Sequence, residues 1–336
     1  MQRVKIALCG ASGVVGKEVL YCLSKLKFPV DVSSISLFTS SRSAGQKTET
    51  PFGEMMFELF ELKKVKDFDI VFLSVGGGFS RQYARDLAEQ NGLVIDKSSY
   101  FRYHKDVPLI IPEINGNEVK GKGLVSSPNC TTSILAMPLY PIYKAFGIKK
   151  VIVSTYQSAS GAGKAGMDEL EVQTRNWATG NPIENDAFVY QLPFNIIPHI
   201  DVFQENLYTK EEMKMVWEMR KIFDVSDLKI SCTSVRIPTI RAHAESVTIE
   251  TEKPVTRVGA LEVLAKAKGV EIVDDSENNQ YPMPLSATGK FDIEVGRIRE
   301  NEVFGNRGLD FFVCGDQLLR GAALNAVLIA KRALDF

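Results

Sequence analysis

The sequence predicts an α/β protein of two parts: a Rossmann-type doubly wound parallel sheet, then an α+β domain with a mixed sheet. Three observations carry this. Short apolar runs alternate with helical patterns over the first hundred or so residues. A glycine-rich turn, Gly10-Ala11-Ser12-Gly13-Val14-Val15-Gly16, lies between the first apolar run and the first helical pattern. After about residue 147 the alternation gives way to longer β-rich segments.

In order, the apolar runs at 4–8, 35–38, 70–75 and 93–96 predict parallel strands, with crossover helices over 14–27 and 79–90. In the second part, strands are predicted over 149–156, 229–235, 246–251, 291–298 and 309–313, interrupted by helical patterns over 165–178, 209–223 and 258–267. Residues 316–333 carry Leu318, Leu319, Ala322, Leu324, Val327, Leu328 and Ala330, the pattern of one long buried helix returning to the first domain. The expected division is 1–129 completed by 315–336, and 130–314.

Composition agrees with two cores. A chain of 336 residues is too long for one, and 45% hydrophobic content fills two. Forty Lys and Arg against 41 Asp and Glu leave a formal net charge of −1, which gives no broad electrostatic reason to bind nucleic acid or an anionic membrane. The apolar runs are broken by charge short of the ~20 residues a membrane span needs, and the N-terminus reads as a strand, not a signal peptide, so a cytoplasmic location is predicted. Five cysteines, at 9, 22, 130, 232 and 314, form no CxxC pair, which predicts free thiols and no metal site.

The GxxGxxG turn has the form of a dinucleotide loop. Its glycines permit a tight turn and let backbone N–H groups reach pyrophosphate at a helix N-terminus. Alone, the motif equally fits a structural glycine turn; its place after a first strand favours Gly10, Ala11, Ser12, Gly13, Val14, Val15 and Gly16 as cofactor ligands. After the second strand an NAD site usually carries a carboxylate for the ribose 2′-OH. Here the chain reads Thr39-Ser40-Ser41-Arg42-Ser43. Arg42 with Ser40 and Ser43 favours the 2′-phosphate of NADP, the other reading being a polar loop with an incidental arginine.

Cys130, in Ser127-Pro128-Asn129-Cys130-Thr131-Thr132, precedes a long helical pattern, where N–H groups and the helix dipole favour a thiolate. The other four cysteines lie within apolar strand or helix patterns and read as inert core. Of three histidines, His243 follows Val235-Arg236-Ile237-Pro238-Thr239-Ile240-Arg241-Ala242. Two arginines beside a candidate general base suit an anionic substrate, although a loop histidine with solvated arginines fits the same residues. The small residues after Gln157 up to Gly166 suit close backbone approach to a ligand or a flexible turn.

Together the GASGVVG, SPNCTT, YQSASGAGKAG and VRIPTIRAH segments resemble aspartate-semialdehyde dehydrogenase over essentially the whole chain, in that family's order. The resemblance implies NADPH-dependent reductive dephosphorylation of L-aspartyl 4-phosphate to the semialdehyde on the route to lysine, threonine and methionine, and a homodimer or a tetramer of dimers formed by the second domain. It implies Cys130 as nucleophile, His243 as acid/base and Gln157 as the group orienting the acyl intermediate. Arg236 would hold the substrate carboxylate, Arg102 the phosphate with Asn129 and Lys221, and Glu218, of an ExxK pair with Lys221, the substrate ammonium. Ser160, Gly161 and Asn325 would join the cofactor site. Read without the resemblance, the ExxK pair is a solvated salt bridge and Asn325 a capping or surface residue.

The alternatives are N-acetyl-γ-glutamyl-phosphate reductase, whose cysteine usually follows Pro-Gly where this chain has Pro128-Asn129, and glyceraldehyde-3-phosphate dehydrogenase, which shares Cys-Thr-Thr but prefers NAD. A non-catalytic nucleotide-sensing relative would be expected to lose the thiol or the histidine, and this chain has both.

Overall fold

In a computed structural model, which describes residues 4–334, the chain divides into two compact units. One is the chain up to Asn129 together with the segment from Ala322; the other is Cys130–Gly321. The first unit contains strands β1 (Ile6–Cys9), β2 (Ile35–Thr39), β3 (Lys47–Thr50), β4 (Gly53–Leu59), β5 (Ile70–Leu73), β6 (Leu93–Asp96) and β7 (Gly123–Ser126). Helices α1 (Val14–Lys25), α2 (Gly77–Gln90) and the short α3 (Pro112–Asn115) lie between them. The sheet order is β3-β4-β2-β1-β5-β6-β7, parallel throughout except for the β3–β4 pair. All four residues of β1, β5 and β6 are buried, which is why these strands read as unbroken apolar runs. The β3–β4 hairpin gave no such signal, because β3 is Lys-Thr-Glu-Thr with no buried residue.

The glycine turn is dictated by close approach. Gly10 has φ +85°, and a Cβ there would sit 2.2 Å from the Ser74 carbonyl oxygen. At Gly16 a Cβ would lie 2.6 Å from the Gly10 oxygen, so the loop closes onto the start of α1 only because both side chains are absent.

The second unit carries β8 (Lys150–Gln157), β9 (Lys229–Arg236), β10 (His243–Glu250), β11 (Val270–Ile272), β12 (Ile293–Asn301) and β13 (Gly305–Gly315). Its helices are α4 (Cys130–Phe146), α5 (Gly163–Thr179), α6 (Lys210–Phe223), α7 (Arg257–Leu264) and α8 (Pro284–Ala287). The sheet order is β11-β12-β13-β10-β8-β9, with β8–β9 and β11–β12 parallel and the other pairs antiparallel, hence mixed. The start of α4 lies within its apolar surroundings, with Thr131 to Leu139 all buried. Helix α6 begins with a capping box: Thr209 Oγ1 accepts from Glu212 N, and Glu212 Oε2 accepts from Thr209 N at 2.6 Å. The same carboxylate's Oε1 accepts from Ser234 N at 2.9 Å, which ties α6 to β9.

Two expectations are corrected. Residues 316–333 do not form one helix: Leu319–Ala323 is a π-helical turn that leads into α9 (Leu324–Ala333). The return to the first unit comes at Ala322, not 315, because Asp316 and Gln317 are fastened within the second. Asp316 Oδ2 accepts from Arg241 Nε and from Gly289 N, each at 2.7 Å, and Gln317 Oε1 accepts from Ala242 N at 2.8 Å. The strand predicted from 246 instead opens at His243, directly after Ala242 at φ +66°. Among the described residues no helix is long and apolar enough to cross a membrane.

Replacing Gly10 by Ala combines a left-handed backbone penalty with overpacking, a loss of about 3 kcal/mol. Urea unfolding followed by circular dichroism measures it, and a wild-type midpoint would contradict the packing described.

Candidate active site

Strand register assembles the site in the second unit. Gln157 pairs with Arg236 across β8 and β9. The β10–β8 register runs to Ala244 opposite Tyr156, which brings His243 beside Gln157. Three adjacent strands thus end in one row, His243, Gln157, Arg236, all buried. Cys130, the first residue of α4, presents Sγ 3.5 Å from His243 Nε2. It is the one cysteine of five that is not fully buried. Burial pushes the Cys9 thiol up to about 12 and raises Cys232 and Cys314 as well, consistent with inert core thiols.

His243 is fully buried, and that burial pulls its imidazole pKa down to about 3. The Arg236 cation acts in the same direction, while Glu211 and the Ala242 backbone oppose it. Its Nδ1 accepts from Ser158 N at 3.1 Å and lies 3.1 Å from Ser158 Oγ. Gln157 is fixed at both ends of its amide: Oε1 accepts from Thr155 Oγ1 at 2.9 Å, and Nε2 donates to Glu211 Oε1 at 3.2 Å. Glu211 Oε2 in turn pairs with Lys214 Nζ at 2.8 Å. Arg236 donates from Nη1 to the Ser158 carbonyl and lies over the Phe188 ring. At Gly161 a Cβ would meet Arg236 Nη1 at 2.8 Å and His243 Cε1 at 3.4 Å, so this turn accommodates no side chain. The Ser160 hydroxyl bonds Ser158 Oγ and accepts from Gln317 Nε2.

On α6, Glu218 is wholly buried and Lys221 half-buried. The ExxK pair is therefore not a solvated surface pair.

The first unit holds the other predicted residues. Gly13 is the N-cap of α1 and brings no capping side chain. Ser40 and Arg42 are exposed and Ser43 half-buried in the turn after β2, with Ser43 N donating to the Ser40 carbonyl. Arg102 and Asn129 are buried. Arg102 is anchored by Nε to the Ser127 carbonyl at 2.9 Å and by Nη2 to the Lys97 carbonyl at 2.8 Å. Asn325 is neither a cap nor on the surface: fully buried, it donates from Nδ2 to the Ile110 carbonyl and Ser127 Oγ, and its Oδ1 has no hydrogen-bond partner. A glycine cradle at a helix start, a strand end without a carboxylate and an orphaned buried acceptor fit a dinucleotide. Among the described residues no group of three or more His, Cys, Asp or Glu could hold a metal ion.

Comparison with known proteins places the chain. Residues 5–122 match the family model described as semialdehyde dehydrogenase, NAD binding domain, and residues 139–320 the one described as semialdehyde dehydrogenase, dimerisation domain. An aspartate-semialdehyde dehydrogenase of Aquifex aeolicus is 43% identical over 97% of both chains. The chain belongs to the aspartate-semialdehyde dehydrogenase family. A Synechocystis aspartate-semialdehyde dehydrogenase is 40% identical over 99% of this chain and 98% of its own. The crystal structure of aspartate semialdehyde dehydrogenase II from Vibrio cholerae, complexed with ASA, superimposes with a TM-score of 0.94 at 37% identity, covering 100% of this chain and 99% of its own.

Several participants were not singled out from sequence. Thr155, Glu211 and Gln317 act through contacts 2, 54 and 75 residues away, respectively. Glu245 could have been found, since strand alternation places it two residues from His243 on the same face. It is fully buried and neither carboxyl oxygen has a hydrogen-bond partner. Desolvation holds its pKa well above the ordinary carboxylate range.

Because the Glu245 pKa is raised on folding, its stabilising contribution is complete below the unfolded value and is lost as pH rises toward the folded one. A Glu245→Gln variant should therefore gain stability relative to wild type, by up to about 1.4 kcal/mol per pH unit, as pH rises from about 5. Paired urea melts at pH 5 and pH 8 read this out; a constant difference between the two proteins would contradict it.

Proposed function

We propose that this chain catalyses NADPH-dependent reductive dephosphorylation of L-aspartyl 4-phosphate to L-aspartate 4-semialdehyde through a thioester on Cys130. The observation that carries this reading is the 3.5 Å approach of Cys130 Sγ to His243 Nε2 within an arginine-bearing row. The printed names of the relatives supply the substrate.

The Cys130 thiolate attacks the acyl carbonyl, the bond to phosphate breaks, and phosphate leaves with its electron pair. Bound NADPH supplies the hydride that takes the thioester to the aldehyde level. The thiohemiacetal carried by Cys130 then loses its C–S bond, which releases the aldehyde and restores the thiolate. His243 holds a proton at the sulfur and at the oxygen that forms beside it. Gln157, with its amide fixed by Thr155 and Glu211, orients the acyl oxygen. Arg236 takes the substrate carboxylate, Glu218 the ammonium, and Arg102, Asn129 and Lys221 the phosphate.

For the cofactor, Gly10 to Gly16 take the pyrophosphate, Ser40, Arg42 and Ser43 the 2′-phosphate, and Asn325 Oδ1 the nicotinamide amide, with Ser160 and Gly161 contributing backbone. Exposed Arg42 with no neighbouring carboxylate between residues 39 and 43 supports NADP over NAD. Self-association fits the second unit, where Trp177, Tyr190, Phe194, Ile196, Phe203 and Leu207 are exposed large hydrophobics. Five free thiols suit a reducing cytoplasm.

The deciding assay is phosphate-dependent reduction of NADP with aspartate semialdehyde against N-acetylglutamate semialdehyde; turnover of the acetylated substrate alone would overturn the assignment. Cys130→Ser should lose on the order of 10³-fold or more in kcat while keeping its circular dichroism spectrum and NADPH binding. Arg236→Lys should chiefly raise the substrate KM, by roughly tenfold, because one of two parallel contacts is lost. An unchanged KM would remove Arg236 from the carboxylate site.

A further inference from the structure

Resting on the thioester reading, we propose that His243 is a fixed Nε2–H donor to the sulfur, not the base that deprotonates Cys130, and that Gln317 is the positioning residue that sets this polarity.

The argument starts from a group that has no choice. The Ala242 backbone N–H can only donate, and its acceptor is the side chain of Gln317 at 2.8 Å, so the atom facing it must be Oε1. The amide nitrogen of Gln317 therefore faces Ser160 Oγ, to which it can only donate. Ser160 Oγ, having accepted, turns its hydrogen to Ser158 Oγ, 3.0 Å away. Ser158 Oγ then turns its own to His243 Nδ1 at 3.1 Å. The Ser158 backbone N–H points at the same nitrogen, also at 3.1 Å, and it too can only donate. Nδ1 thus receives two donors and must keep its lone pair. The ring proton resides on Nε2, facing Sγ at 3.5 Å. Ser158, Ser160, Gln317 and His243 are all buried, so water does not compete for these bonds.

An Nε2 that bears hydrogen has no lone pair with which to accept a thiol proton. Protonating the ring would place an Nδ1–H against the Ser158 N–H, two donors in contact. The charged groups around the ring are Arg236 from β9, which opposes a second cation, and Glu211 from α6, which favours one but is shared with Lys214 and Gln157. Cys130 approaches from the start of α4.

The chemistry closes without an imidazolium. The thiol proton goes to water, and the thiolate forms the thioester as phosphate departs. After reduction the C–S bond breaks and the sulfur regains its electron pair as the aldehyde is released. His243 begins and ends each step with the same proton, lending a hydrogen bond to the thiolate and then to the thiohemiacetal oxyanion.

The test is ¹⁵N NMR of histidine-labelled enzyme. The chain has only three histidines, so His243→Gln assigns the signal by its disappearance. The expected spectrum across neutral pH shows an unprotonated Nδ1 and a protonated Nε2. Gln317→Glu is isosteric but, as a carboxylate, accepts from both Ala242 N and Ser160 Oγ, which reverses the chain and turns Ser158 Oγ–H away from the ring. In that variant the His243 titration and the acid limb of the kcat/KM profile should both move upward by about one pH unit or more, the scale of one added nearby charge. A purely structural role for Gln317 would lower activity without moving either midpoint, and that result overturns its assignment. A wild-type spectrum with a protonated Nδ1 or an imidazolium at neutral pH overturns the donor assignment, and needs no variant to fold. Because the tautomer is read in the resting enzyme, absence of turnover with aspartate semialdehyde would defeat the functional reading while leaving this measurement intact.

Discussion

The contact of Cys130 Sγ with His243 Nε2 at 3.5 Å is the constraint on which the rest of the second unit depends. Sulfur and imidazole come from elements 113 residues apart in sequence, so the distance is held by what each is fastened to. The sulfur stands at the head of α4, and a Cβ on Gly321 would lie 2.9 Å from the Cys130 Cβ, so the chain behind it leaves no slack. The imidazole stands at the first residue of β10, locked by strand pairing on both sides and by the Ser158 turn against Nδ1.

Around that contact the protein hides polar groups in a mostly apolar interior, which costs free energy unless each is partnered. Its solution is a set of chains in which one fixed donor or acceptor dictates the next. Lys214 neutralises Glu211, Glu211 orients Gln157, and Thr155 completes the amide. Ala242 orients Gln317, and the serines carry that polarity to the histidine. Glu245 stands outside these chains, in the next row beside Thr155, and meets the same cost by holding its proton. Ala242 itself sits at φ +66°, a backbone conformation an alanine adopts at a cost of roughly 1–2 kcal/mol, directly before the histidine it helps to place.

Much of the fold was legible because its signals are local. The apolar runs that became β1, β5 and β6 are buried along their whole length, and the Thr209 to Glu212 capping box marks the start of α6 in four residues. Where the signal was not local, the reading slipped. The β3–β4 hairpin has little apolar content to announce it. The segment 316–333 kept a helical pattern throughout, yet long-range bonds to Asp316 and Gln317 hold its first turns in the other unit. The strand containing His243 begins earlier than its apolar alternation suggested, since its first residues are chosen for a site and not for a core.

By itself the sequence determined the class of fold, the glycine loop, the candidate thiol and its family, since each is written in a few neighbouring residues whose backbone conformation they dictate. Tertiary structure alone decided which nitrogen of His243 faces the sulfur, which end of the Gln157 amide is anchored, and that Glu211, Gln317 and Glu245 belong to the neighbourhood of the site. Those outcomes hang on hydrogen bonds and buried contacts between residues as far as 157 apart, and a donor's direction is settled only when the chain has brought its partner within about 3 Å.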